Sequence, residues 1–223
     1  MARLVGNAAS GTCTLEGRID RIDEWAEGGY LRVIDYKRGG KDLALDAVYH
    51  GLSLQLPVYL AAAMKKRDEQ SAGVYYFSLD EGILATQSTD ANEVEKARRD
   101  GFRLTGLAPD DLSLLEAQSP NYPEVLNVRV NTGGGLRKGT LATDAGGFRA
   151  LMSRTLQKAG EHLDGIRAGL MQAAPARFRQ QNPCQYCDWR GVCLFDERMD
   201  AKCVRRFSTI RGDEVLERLK LEE

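Results

Sequence analysis

The sequence predicts an α/β fold on three observations. Two strand-like runs flank a glycine-marked turn between residues 13 and 37, helical spacing recurs over 46–66 and 143–169, and a run rich in β-formers lies between the helices. Residues 13–23 alternate imperfectly, Leu15, Gly17, Ile19 and Arg21 against Glu16, Arg18, Asp20 and Ile22. Residues 30–37 are the next strand, and Gly28-Gly29 in the connection marks a tight antiparallel turn. Over 46–66, Val48, Leu52, Leu56 and Leu60 fall near one helix face, and Pro57 is expected to kink that helix or to delay its start to about Ser53. Residues 72–79 read as a buried third strand and 82–87 as a candidate further strand. The segment 92–104 is mixed and charged, 109–116 predicts a short helix with acids near its N-terminus, and 121–130 is a strand candidate. Three consecutive glycines make 131–139 a flexible loop. Phe148, Leu151, Met152, Thr155, Leu156, Ala159, Leu163 and Ile166 then trace a long amphipathic helix that Thr143 or Asp144 would cap. Residues 173–183 read as a linker and 212–221 as a final short helix, while the first twelve residues carry no recognisable element.

Composition bounds the rest. A chain of 223 residues with 43% hydrophobic content supports one substantial core with an appendage. The expected division is a core over 1–172 and a cysteine-containing segment with a helix over 173–223, packed on it. Thirty-one basic against 32 acidic residues give a net charge of −1, so any polyanion must meet local patches: Arg137-Lys138, residues 177–179 and residues 202–206. The longest apolar stretch, around 56–64, is far below the ~20 residues that span a bilayer, and no signal-peptide core is visible. A soluble, cytoplasmic protein with no membrane partner is expected. Five cysteines, three of them clustered, suit metal better than a secreted disulfide framework, with Cys13 and Cys203 left over.

Strand periodicity puts Asp35 and Lys37 on one side of their strand, a carboxylate beside an ammonium. A bare Asp-x-Lys would read as solvated charge. Here it follows apolar Val33-Ile34, and charge at the end of a buried strand is costly unless compensated. Asp20 ends the preceding run, so the two acids meet across a hairpin, the minimum set with Lys37 for holding Mg²⁺ and orienting water towards phosphorus. Asp23 points to the opposite face and is left out. Gln55 and Tyr59, four apart, stack on one helix surface. Cys184-x-x-Cys187 with Cys193 supplies three soft ligands, and zinc and an iron–sulfur cluster would each need a fourth. His50 and His162 are given no role.

Gly17-x-x-Asp20 followed by Ile34-Asp35-x-Lys37 resembles the active-site strands of the PD-(D/E)XK nuclease superfamily. Gln55-Leu-Pro-Val-Tyr59 resembles the Gln-x-x-x-Tyr motif of its RecB-like branch. Cys184-Gln-Tyr-Cys187 with Cys193 resembles the terminal iron–sulfur cysteines of AddB/RexB-type components of bacterial helicase–nucleases. The resemblance runs from about Leu15 to the C-terminus and is strongest over 17–60 and 183–196. It implies a restriction-endonuclease-like fold, a mixed central sheet flanked by helices with a C-terminal cysteine-containing segment. It implies Asp20, Asp35 and the Tyr36 carbonyl as ligands of Mg²⁺ or Mn²⁺, and Lys37 as the group that positions the attacking water. Gln55 and Tyr59 would touch the substrate or the lysine, and Cys184, Cys187 and Cys193 would hold a 4Fe-4S cluster in the full-length protein. The implied activity is hydrolysis of single-stranded DNA during double-strand-end processing for recombinational repair, and the implied partner is an AddA-like helicase–nuclease.

The sequence also departs from that family. Its fourth cluster cysteine and a further active-site histidine lie well upstream, whereas 16 residues precede Gly17 here, and Cys13, His50 and His162 do not fill those places. The expectation is an excised C-terminal domain that lacks the fourth cluster ligand. The rivals are a catalytically degenerate DNA-binding or assembly clamp, against which the retained Asp20, Asp35 and Lys37 argue, and a free-standing small nuclease.

Overall fold

In a computed structural model that describes residues 2–8, 11–25, 27–39, 42–64, 70–80 and 90–222, the chain opens with two antiparallel strands, β1 (Ala2–Ala8) and β2 (Gly11–Gly17). The sequence pattern shows no element over the first twelve residues, and it runs one strand across what is a break at residues 18–20. After that break β3 (Arg21–Trp25) turns back into β4 (Tyr30–Lys37), as the paired glycines require. The helical stretch that follows is two helices, α1 (Leu45–Tyr49) and α2 (Gln55–Met64). Pro57 therefore sits in the first turn of α2, where backbone N–H groups have no intrahelical partner and its missing donor costs nothing.

The central sheet continues with β5 (Gln70–Ser78), after which α3 (Ala91–Gly101) occupies the charged segment, its N-terminus capped by the Asp90 carboxylate on Asn92 and Glu93 N–H. Next come β6 (Thr105–Pro109), α4 (Leu112–Gln118), a single helical turn α5 (Tyr122–Val125) in place of the expected strand, and β7 (Ala142–Thr143). The long helix α6 (Ala145–Arg167) starts on Asp144, whose side chain accepts from Gly147 N–H at 2.8 Å. The C-terminal part holds β8 (Ala176–Phe178), the short α7 (Arg190–Cys193), β9 (Arg205–Phe207) parallel to β8, and α8 (Gly212–Glu222). The candidate strand over 82–87 lies outside the described residues.

The sheet order is β3-β4-β5-β6-β7, with β4–β5 and β6–β7 parallel and the other pairs antiparallel. It is a mixed sheet with helices on both sides, and alternation along β4 sorts its side chains between them. Leu31 and Val33 join Leu56 and Leu60 of α2, Phe148 and Leu151 of α6, and Leu216 and Leu219 of α8 in the larger core. Ile34 turns the other way, to Tyr75, Leu115 and Tyr122. Fully buried leucines such as Leu56 and Leu60 each contribute about 2 kcal/mol over leaving them exposed. The sheet is thus fixed in register from both faces, and the C-terminal end of β4 emerges beside the start of α2.

The C-terminal part is tied down through α1. Asp46, 2% exposed, accepts from Arg179 Nη2 at 3.0 and 3.1 Å and from the backbone N–H of Ala47 and Ile210. His50 Nε2 donates to the Ser208 carbonyl at 2.9 Å, and its ring lies 5.0 Å from that of Phe207. α8 closes the face by packing on α6 and α1.

One close approach sets a stability test. Gly106 in β6 faces Tyr75 of β5, and a Cβ there would overlap the carbonyl oxygen of Val74, a backbone atom that cannot swing aside. Gly106→Ala is expected to destabilise the fold by about 2–3 kcal/mol, read as a lowered midpoint of urea unfolding.

Candidate active site

At the C-terminal end of β4, period-two alternation carries Asp35 and Lys37 onto the face that bears α2. Asp35 is 2% exposed, deep enough that water does not solvate its charge. Its Oδ2 lies 2.5 Å from Lys37 Nζ, yet no donor is aligned on that oxygen as a hydrogen bond. The contact is charge against charge, and the oxygen keeps a lone pair to offer.

Lys37 is held from the other side. Its Nζ donates to Gln55 Oε1 at 3.0 Å, and Gln55 Nε2 donates to Tyr59 Oη at 3.2 Å. Gln55 and Tyr59 share a face of α2, so the helix start fixes the lysine through one amide. The Tyr59 ring lies over Gly17, where an added Cβ would come within 3.0 Å of Cε1. The glycine three residues before Asp20 thus leaves room for the aromatic that ends this string.

Asp20 occupies the bend just before β3. Extending the Arg21–Ile34 register by one residue sets it opposite Asp35. Its Oδ2 accepts from Tyr36 N–H at 3.0 Å, taking the place of a strand carbonyl where β3 has run out, and its other oxygen has no partner among the described residues. Below the site, Tyr76 pairs with Asp35 in the parallel register, and its ring lies 5.9 Å from Lys37 Nζ. Burial first, and then the Asp35 charge, push the Tyr76 hydroxyl above its ordinary pKa, with the Ser53 side chain acting the opposite way.

The structure therefore brings Asp20, Asp35, Lys37, Gln55 and Tyr59 to one place, with Tyr36 as the backbone link between the two acids. The acids offer hard oxygen donors, the kind that Mg²⁺ or Mn²⁺ takes. Among the described residues no group of three or more His, Cys, Asp or Glu side chains is gathered to hold an ion. That bears on the cysteine segment. Cys184 lies in a 3₁₀ turn over Pro183–Tyr186 with its N–H on Asn182 Oδ1 at 3.0 Å, Cys187 and Cys193 are exposed, the latter ending α7, and Cys203 accepts from Gln172 Nε2.

A family model described as the PD-(D/E)XK nuclease superfamily matches residues 2–194. The chain belongs to the PD-(D/E)XK nuclease superfamily. Among curated relatives, an ATP-dependent helicase/deoxyribonuclease subunit from Moorella thermoacetica is 35% identical over 211 residues, covering 89% of this chain and 18% of that protein. Proteins of the same name from Desulforudis audaxviator and Clostridium tetani are 34% and 30% identical, covering 96% and 93% of this chain. The chain spans about a fifth of the length of these relatives. No helix among the described residues is long and apolar enough to cross a membrane.

Within this nuclease fold, Tyr76 and Ser53 are the site neighbours that sequence reading missed. Tyr76 lies in a run of three aromatics, and only the parallel β4–β5 register sets it behind Asp35. Asp23 is used structurally. Arg21 Nε reaches its Oδ1 at 2.6 Å and the buried Arg32 its Oδ2 at 2.7–2.8 Å, while Arg32 also donates to Gln118. Burial pushes the Asp23 carboxyl up, but the hydrogen bonds from Arg21 and Arg32 outweigh it and hold the group below its ordinary 3.8.

A folded pKa below the unfolded one gives stability that is present above the ordinary carboxylate range and lost as pH falls through the lowered value. Asp23→Asn is therefore expected to cost about 1–2 kcal/mol at pH 7, most of it from the buried Arg32 because the Arg21 pair is half exposed. The cost should shrink towards zero below about pH 4, checked by urea unfolding of both proteins across pH.

Proposed function

We propose that this nuclease domain hydrolyses phosphodiester bonds of single-stranded DNA, with Asp20, Asp35 and Lys37 as its catalytic centre. The observation that carries the reading is the meeting of two carboxylates and a lysine, Asp20 opposite Asp35 in the strand register with Lys37 Nζ 2.5 Å from Asp35 Oδ2. A buried carboxylate needs compensation, of which Lys37 supplies part, and a divalent cation held between the two acids would supply more.

Asp20, Asp35 and the Tyr36 carbonyl are the groups that would hold Mg²⁺ or Mn²⁺. A bound ion of this kind polarises phosphoryl oxygens and lowers the pKa of a coordinated water. Lys37 keeps its ammonium at the site because Asp35 and Gln55 hold it from two sides, and there it stabilises negative charge developing on the phosphate. Gln55 positions the lysine, and Tyr59 fixes which way the Gln55 amide points by accepting from its N–H. Residues 1–172 form the nuclease core and 173–223 a cysteine knuckle with a helix. The helicase/deoxyribonuclease name of the relatives supports a setting within a longer helicase–nuclease polypeptide that works beside an AddA-like partner on DNA ends in the cytoplasm.

Mn²⁺-dependent cleavage of end-labelled single-stranded DNA tests the centre. The samples are this chain, a form extended upstream, and Lys37→Ala in each. Cleavage by the extended form is expected, lost on chelation and lowered at least about 100-fold by Lys37→Ala. Folded, DNA-binding protein that cleaves in neither form would instead support a degenerate clamp.

For Cys184, Cys187 and Cys193, thiolate chemistry suits a 4Fe-4S cluster, although among the described residues the three side chains are not gathered into one ion-holding group. We assign them as three ligands of a cluster completed from outside this segment. Anaerobically purified chain is expected to show little visible cluster absorbance, against a stoichiometric signal in the extended form. A full complement in the chain alone would overturn the assignment.

A further inference from the structure

The three basic patches differ in what their charges meet. Arg177 lies 2.7 Å from Glu197 and donates to Asn182, Arg206 is 3.2 Å from Glu197, and Arg179 is 3.0 Å from Asp46. Two carboxylates, Glu197 and Asp46, thus offset these three arginines in part, while Lys202 and Arg205 form no ion pair among the described residues. Arg137 and Lys138, with Arg129 across from them, are exposed and form no ion pair among the described residues. They lie in a segment, 125–143, that holds no Asp or Glu at all.

This segment has a fixed shape. Val130 and Leu136 form an antiparallel bridge, and Arg137 N–H donates to the Arg129 carbonyl at 2.7 Å, so the two arginines stand across from each other. The glycine tip is organised rather than free. Asn131 Oδ1 accepts from Gly133 and Gly135 N–H, both at 3.0 Å, and Asn131 N–H donates to the Gly135 carbonyl at 2.9 Å. At the base, Thr140 Oγ1 donates to the Arg129 carbonyl at 3.2 Å. Like charges across a strand pair repel, and among the described residues no ion pair relieves them.

The position is as telling as the charge. Val128, Val130 and Leu136 belong to the same apolar cluster as Ile34, Tyr36 and Phe77. Tyr36 stands between Asp35 and Lys37. The basic hairpin is thus seated on the back of the sheet at the strands that carry the catalytic residues, and its apolar side chains anchor it there.

We propose that the hairpin over 127–140 is a phosphate clamp, in which Arg129, Arg137 and Lys138 bind the backbone of the single-stranded DNA cut at Asp35 and Lys37 where that strand passes round the C-terminal end of β4 to the opposite face of the sheet. This rests on the nuclease reading above. The cations displace counterions from the strand, and the Gly133 and Gly135 backbone N–H groups being committed to Asn131, binding falls to the side chains.

The test is fluorescence anisotropy of a labelled oligothymidylate, without divalent ions, over a KCl series. Wild type, the triple variant Arg129→Gln/Arg137→Gln/Lys138→Gln, the single variant Arg137→Glu and the control Arg206→Gln are compared. For wild type, the affinity should fall steeply with salt. The triple variant should flatten the slope of log affinity against log salt by about 2, since each phosphate contact to a single strand contributes about 0.7. Arg137→Glu should weaken binding about tenfold at low salt, and Arg206→Gln should change neither quantity. A triple variant with wild-type melting and an unchanged slope would overturn the clamp, while wild-type binding and Lys37-dependent cleavage would leave the nuclease reading standing. Loss of binding by Arg206→Gln equal to that of the triple variant would also overturn it. Wild type that binds no oligonucleotide at any salt would overturn the clamp, and the cleavage assay would then decide the nuclease reading on its own.

Discussion

The buried Asp35 carboxylate at the end of β4 is the constraint around which the molecule is arranged. Its strand is apolar on both faces because the sheet is covered on both, so a charge there is accepted only with compensation close by. Lys37 supplies part of it from the same face, two residues on. That ammonium must itself be aimed, and α2 begins at the point where Gln55 can accept a hydrogen bond from it. Tyr59, one helical turn further, holds the amide and needs the bare backbone of Gly17 beneath its ring. A strand alternation, a helix start and a glycine are thus coupled by a few hydrogen bonds.

Three carboxylates bear on this fold, and their partners separate structure from chemistry. Asp46 is as buried as Asp35, but Arg179 and two backbone N–H groups saturate it, and it anchors the C-terminal segment. Asp23 is taken up by two arginines on the edge strand, one of which continues to Gln118. Asp35 alone of the three has an oxygen met by a cation without an aligned hydrogen bond. Proteins tolerate that where a ligand completes the shell, and the superfamily to which the chain belongs is one of nucleases.

Much of the site was legible because it is local. Asp35 and Lys37 are two apart on a strand, Gln55 and Tyr59 four apart on a helix, and both spacings fix a shared face without knowledge of the fold. The long helix α6 was equally plain, since its apolar stripe is buried from Phe148 to Ala159 and Asp144 caps it, although Ile166 near its end is exposed. Other segments misled because local pattern was weak or ambiguous. Residues 2–8 and 11–17 form two paired antiparallel strands, the first of which packs on α6 and α2, a partnership invisible to a short run of small residues. The charged stretch before β6 is an exposed helix with no buried residue to set a period. Residues 131–139 looked like a free loop, yet Asn131 folds its side chain into the tip and orders it.

The sequence by itself determined the faces: which side chains lie beside which along one strand or one helix, because backbone geometry repeats every two or 3.6 residues. It also determined the chemistry on offer, hard oxygen donors beside a lysine and soft sulfur donors near the C-terminus. Tertiary structure alone decided which strands are neighbours, and so set Tyr76 behind Asp35, Gly106 against Val74, and the basic hairpin on the cluster that holds Tyr36. Those pairings depend on burying two apolar faces at once. No local period encodes that, since the free energy is realised only when distant segments meet.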